Sequence, residues 1–467
     1  MSAPVPAPTL DDLRGAVSGL MPRALDDLAE LVAIPSVADE RVQPRSECVR
    51  AAQWVADAFR AEGVEDARLE RTPDESDVVI GHVPAPVVNG RAAPTVLLYA
   101  HYDVQPPLDD DAWVSPPFEL TERDGRLYGR GAADCKGNIV AHLTALRALR
   151  SLGGGTFPVG IRIVIEGSEE QGTGGLDDWV RAHPGELTAD AMLICDTGNA
   201  ALGVPTLTVA LRGASNVVVT VESMRSEVHS GMFGGAAPDA LAALVAMLAT
   251  LRDEKGDTTI RGLDATQTWD GVRYEPDAFR RDAGVLDGVG LLGSGSVADQ
   301  LWARPAVTIL GIDAPKVVGS SAAIQPKAAA RLNLRVPPGQ DTAAAVTALE
   351  DHLRAVAPWG VHVTLEHDAP GQPFQARTEG VVFDTLSRAL ADAFDAESTT
   401  TAGQGGSIPL CNVLQASYPD AEIVLLGVEE PACLIHAPNE SVDPHELERI
   451  AVGEALFLAR LGSAGAA

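Results

Sequence analysis

The chain has 467 residues, 46% of them apolar and 21% charged, and a formal net charge of −30 at pH 7. This length exceeds what one hydrophobic core usually serves, so two domains are expected. The acidic balance argues against nucleic acid as a partner, because phosphates would be repelled. No apolar run reaches the length of a membrane span, and the opening MSAPVPAPTL lacks the basic and apolar regions of a secretory signal, so a cytoplasmic protein without a membrane partner is expected.

In chain order, the first clear element is a helix over residues 10–32, with Thr9 as its N-cap and Asp12 in its first turn. Amphipathic patterning continues over 48–61. Short apolar runs of strand type follow, TVLLYA at 95–100, GIRIVIEG at 160–167 and AMLICD at 191–196, with a helical stretch at 139–149 between the first two. Continuous apolar strands alternating with helices predict an α/β fold, a mostly parallel sheet covered by helices.

From about residue 212 the pattern changes. Strands are predicted at 216–223, 306–312, 328–336 and 361–367, and helices at 238–251 and 342–356. That order is β-α-β-β-α-β, the ferredoxin-like arrangement of an α+β domain. A polar, glycine-rich stretch at 253–296 interrupts it as an extended loop. The α/β character then returns, with a helix at 381–394, a glycine-rich loop at 403–406, a strand at 422–427 and a helix at 444–461. The expectation is a discontinuous catalytic domain, 1–211 with 373–467, carrying an inserted domain at 212–372.

The five cysteines are scattered and form no C-x-x-C pair, which suits a reducing compartment and leaves any metal to His, Asp and Glu. Those residues follow the apolar strands: His101 and Asp103 after the first, Glu169 and Glu170 after the second, Asp196 after the third, and His436 a short loop beyond the last. Loops at the carboxyl ends of strands in open α/β sheets converge on one crevice, and Asp134, just ahead of the helix at 139, belongs with them. Any one of these alone reads as a helix cap or a solvated loop residue. Together, two imidazoles and several carboxylates without a thiolate match zinc, manganese or cobalt at a hydrolytic site. The count favours two ions sharing a carboxylate, with a glutamate left over as a base. The spacing does not say which of Glu169 and Glu170 is ligand and which is base.

The stretches YAHYDVQP, GRGAADCKGN, EGSEEQGTGG, CDTGN, VHSGMFGG, GGSIP and HAPNES occur in this order, within a likeness that runs from about Ile34 to Ser441. They resemble the di-zinc metallopeptidase family that includes carnosine dipeptidase, carboxypeptidase G, succinyl-diaminopimelate desuccinylase and aminoacylase. The resemblance implies that His101, Asp134 and Asp196 hold one divalent ion and that Asp134, Glu170 and His436 hold the other, with Asp134 bridging. It makes Glu169 the general base that deprotonates a water bridging the metals to give the attacking hydroxide, and Asp103 the carboxylate that orients His101. It also implies a cis peptide between Asp134 and Cys135.

In the inserted domain, the resemblance has His229 polarise the scissile carbonyl from a partner subunit, which makes the expected unit a homodimer joined through these lid domains. Arg335 is implied to bind the substrate carboxylate, and Gly405, Gly406 and Ser407 to place backbone against the substrate. Two positions depart from the family pattern. Cys135 stands where an aspartate is usual, and Ala323-Ile324-Gln325-Pro326 replaces a step that usually carries threonine or asparagine. Aspartate at 196 and the dipeptidase-like contexts favour small peptides over the runner-up substrates, N-acyl amino acids. A non-catalytic metal-binding protein on the same fold is disfavoured by the intact Glu169.

Overall fold

Thr9 opens the first helix, Leu10–Val32, through a capping box in which its hydroxyl accepts from the Asp12 N–H while the Asp12 carboxylate accepts from the Thr9 N–H. The structure, a computed structural model, describes residues 8–464. These divide into two units, residues 8–209, 376–402 and 409–464 in the first and residues 210–375 with 403–408 in the second.

The first unit is built on a sheet whose order runs Arg68–Arg71, Asp77–Val83, Gly160–Glu166, Thr95–His101, Ala191–Cys195, Glu422–Leu426 and Thr206–Leu211. The four strands at 160, 95, 191 and 422 are mutually parallel, so their carboxyl ends share one edge. Nearly every residue of these four strands is buried, which is why they read as unbroken apolar runs. The antiparallel strands at 68, 77 and 206 escape a sequence reading. Gly81 and His82 interrupt the run at Asp77–Val83, and alternating threonines mask the fully buried Thr206–Leu211.

The helices Leu10–Val32, Lys136–Leu152, Val381–Ala393 and Pro444–Ala464 pack on one another within one continuous core. Lys136–Leu152 is buried from Lys136 to Leu149, so its polar side chains need internal partners. Lys136 donates to the carbonyls of Leu31 (2.9 Å) and Ile34 (2.7 Å) at the end of the first helix. His142 meets Glu454 at 2.7 Å, and Arg147 bonds Glu62 at 2.9 Å and also Asp27.

The second unit holds a four-stranded antiparallel sheet in the order Ala306–Asp313, Lys327–Val336, Gly213–Glu222, His362–His367. Alternate residues of Gly213–Glu222 and Lys327–Val336 are buried and share a core with the helices Ala240–Ala249 and Thr342–Val356. Asp239 and Asp341 cap those helices through their carboxylates. The polar stretch at 253–296 contains the short helix Pro276–Asp282. A two-residue ladder, Val228–His229 against Ala323–Ile324, is too short to leave a periodic trace in the sequence.

Gly427 follows directly on the strand Glu422–Leu426. A Cβ there would lie 2.0 Å from the Thr197 carbonyl oxygen and 2.9 Å from Asn138 Oδ1. Gly427→Ala is expected to cost about 1–3 kcal/mol through forced backbone movement, read as a lowered urea midpoint. An unchanged midpoint would mean the two segments are not in such close approach.

Candidate metal centre

The shared carboxyl edge of the parallel strands delivers the first histidine. His101 closes the strand Thr95–His101 and is fully buried. Its Nε2 lies 3.0 Å from Asp134 Oδ1 and 3.1 Å from Asp196 Oδ1, the latter following the strand Ala191–Cys195. The other ring nitrogen, Nδ1, is 3.0 Å from the Asp103 carbonyl and 3.5 Å from its carboxylate. That contact puts the proton on Nδ1 and leaves Nε2 free as a donor atom for a cation.

His436 arrives from the segment after the strand Glu422–Leu426, where Leu434 and His436 itself take positive φ. Its Nε2 lies 2.9 Å from Asp134 Oδ2 and 3.2 Å from Glu170 Oε2. Asp134 thus faces the two histidines with its two different oxygens. Gln105 Nε2 donates to the same Glu170 oxygen at 2.7 Å.

The pair Glu169–Glu170 sits in a single 3-10 turn after the strand Gly160–Glu166. The Asp103 carboxylate accepts the N–H of Glu169 at 3.2 Å and of Glu170 at 3.0 Å. Ser168, just before them, donates to Asp74 at 2.7 Å. Asp103 therefore ties the histidine strand to the glutamate turn.

Asp134 has its own clamp. Glu440 Oε1 accepts the N–H groups of Ala133 and Asp134, both at 3.1 Å, while Oε2 accepts Gly131 N–H at 3.0 Å and Arg130 Nη1 at 2.8 Å. All of Glu440 is buried. The peptide between Asp134 and Cys135 is cis. The Cys135 thiol, pushed up by burial, donates to the Cys195 carbonyl at 2.9 Å.

Electrostatics follow from crowding. Burial, then the charge of Asp196, pushes Glu169 well above the usual carboxylate range. Burial also raises Glu170 and Asp196, each with help from Asp134. Burial works against the charge on Asp134, yet hydrogen bonds from His101 and His436 hold it below the usual range. His436 is raised to about 11 by its bonds to Asp134 and Glu170. Burial would lower His101, but the negative groups around it hold it well above its ordinary value. At the three raised carboxylates burial is the largest cause, and the surplus of negative charge among their neighbours adds to it.

That surplus is what divalent cations neutralise, and the donors suit them: neutral imidazole nitrogens and carboxylate oxygens already gathered in two sets, His101–Asp134–Asp196 and Asp134–Glu170–His436. Ligand atoms around a tetrahedral zinc stand about 3.4 Å apart, and the histidine–carboxylate separations here, 3.0, 3.1, 2.9 and 3.2 Å, fall short of that by only tenths of an ångström.

The chain matches the model of "Peptidase family M20/M25/M40" over residues 97–460. It belongs to that family. It is 44% identical over 445 residues to a cysteinylglycine-S-conjugate dipeptidase of Corynebacterium striatum, covering 94% of this chain and 96% of that protein. With a Cys-Gly metallodipeptidase of Schizosaccharomyces pombe it shares 30% over 369 residues, 74% of this chain and 76% of the relative. The crystal structure of human carnosine dipeptidase 1 superimposes with a TM-score of 0.81 at 25% identity, covering 98% of this chain and all of that one. The M20 chain is a dipeptidase-like hydrolase, and its family implies divalent metal ions, commonly zinc.

In this M20 chain His229, Arg335, Gly405, Gly406 and Ser407 belong to the second unit. His229 is exposed, and its Nδ1 accepts the Gly231 N–H at 3.1 Å. Arg335 is partly buried and donates to Asn333 at 2.9 Å. Arg212, missed in the sequence, is close enough to feel the charge of Arg335: burial and then Arg335 lower it to about 10. Two further residues escaped the reading. Glu440 lies inside HAPNES without any spacing that reveals a clamp, and Glu429, discussed below, follows a strand as Asp196 does.

Glu440→Ala leaves Arg130 buried without its partner and frees the Asp134 loop. A loss of about 3–5 kcal/mol in unfolding free energy is expected, together with reduced metal content after purification. Wild-type stability in this variant would show that the clamp is dispensable.

Proposed function

We propose that the protein hydrolyses dipeptides at a two-cation centre, with His101, Asp134 and Asp196 holding one ion and Asp134, Glu170 and His436 the other. The observation that carries this is the division of the Asp134 carboxylate, one oxygen toward each histidine. Bound there, two zinc ions, or manganese or cobalt, would polarise the scissile carbonyl and lower the pKa of a water. The chain's own groups do the rest. Glu169 takes a proton from the attacking water and passes it to the leaving amine, a task suited to a carboxylate whose proton affinity is raised by burial. Asp103 holds His101 in its tautomer and the glutamate turn in place.

Substrate binding falls to the second unit. Because His229 Nδ1 accepts a backbone N–H, its remaining proton sits on Nε2, where it can donate to the carbonyl oxygen as negative charge develops. Arg335 grips the terminal carboxylate, and Gly405, Gly406 and Ser407 lie against the peptide. Relatives named for Cys-Gly conjugates and for the β-Ala-His dipeptide support short peptides as the substrate class. Five free, buried thiols agree with a cytoplasmic setting.

Glu169→Ala is expected to lower turnover of a dipeptide panel by at least ~10²–10⁴-fold while both ions are retained. Metal loss from this variant, with Glu170→Ala keeping both ions, would reverse the two assignments. Faster cleavage of acetylated amino acids than of any dipeptide would favour a deacylase.

We also place His229 at the active site of a second copy in a homodimer. Mixing inactive His229→Ala and Glu169→Ala chains under subunit exchange should restore about a quarter of wild-type activity, since half the dimers are mixed and each has one sound site. No recovery after verified exchange would remove the cross-subunit role.

A further inference from the structure

Glu429 is a buried carboxylate that the mechanism above leaves unused. It lies just beyond the strand Glu422–Leu426. One of its oxygens is within 4.8 Å of an oxygen of Asp134 and of Asp196. Its Oε1 is closed off from solvent and has no hydrogen-bond partner among the described residues. The adjacent Glu430 behaves otherwise: it pairs with Arg126 at 2.6 Å and accepts the Ala432 N–H at 2.8 Å.

The backbone holds Glu429 in this place. Its carbonyl accepts the Asn199 N–H at 2.8 Å, and Gly198 runs so close that a Cβ there would lie 2.0 Å from the Glu429 carbonyl oxygen and 2.6 Å from the Glu429 Cβ. The side chain is thus pinned beside Asp196 by the same segment that carries Asp196. An unpaired buried carboxylate next to two others is unfavourable unless a cation or a proton meets it. The gathered oxygens of Asp134, Asp196 and Glu429 are arranged to meet a cation.

We propose that Glu429 is a further ligand of the ion held by His101, Asp134 and Asp196, and that it biases this position toward manganese relative to zinc. The proposal rests on the two-cation reading above. Its chemistry is that of the donor set, one imidazole with three carboxylates. Zinc is satisfied by four donors and favours nitrogen and sulfur, whereas manganese takes more donors and prefers oxygen. Zinc still binds more tightly in absolute terms, as divalent ions do at most such sites. What Glu429 changes is the gap between the two.

The test uses metal-free wild-type protein and Glu429→Gln, each titrated with zinc and with manganese against a competing chelator, with manganese binding also followed by electron paramagnetic resonance. The variant is expected to bind manganese at least ~10-fold more weakly, with a clearly smaller loss for zinc. Glu429→Asp, which keeps the charge but withdraws the oxygens by one methylene, should show the same bias and guards against a folding defect in the first variant. Equal losses for the two ions, or none, in these variants overturn the proposal. A wild-type stoichiometry below two ions per chain overturns the two-cation reading instead, and the bias at the remaining ion is still read from the same titrations.

Discussion

Buried negative charge governs the catalytic unit. The carboxyl groups of Asp134, Glu169, Glu170, Asp196 and Glu429 crowd together with two imidazoles, and like charges in a poorly hydrated site cannot all ionise without compensation. Upward shifts at Glu169, Glu170, Asp196 and both histidines express that conflict. Divalent cations, which the M20 family implies, would relieve it.

The scaffold holds these donors by layers of hydrogen bonds. Parallel strands bring His101 and Asp196 to one edge because their carboxyl ends coincide. Asp103 then locks the His101 ring and the Glu169–Glu170 turn with a single side chain. Glu440 does the equivalent for Asp134, gripping the loop amides of Gly131, Ala133 and Asp134 together with Arg130. These two carboxylates remove freedom from the Glu169–Glu170 turn and the Asp134 loop through hydrogen bonds to their backbone amides.

The second unit uses different means. Its sheet is antiparallel, alternately buried, and backed by two carboxylate-capped helices. Among its residues are the buried Arg212, the partly buried Arg335 and the exposed His229.

By itself the sequence determined the α/β and ferredoxin-like elements, because buried parallel strands and amphipathic helices leave strong local periodicities. It also determined the chemical class, since His101, Asp134, Glu169, Glu170, Asp196 and His436 stand in motifs of unbroken order. Tertiary structure decided what local pattern does not encode. The strands Arg68–Arg71, Asp77–Val83 and Thr206–Leu211 join the sheet through distant partners despite glycine and threonine interruptions. Glu440 reaches back more than three hundred residues to hold Asp134, and Glu429 owes its place beside Asp196 to a close backbone approach at Gly198. A carboxylate's role depends on which charges and amides surround it in space, and those neighbours come from elsewhere in the chain.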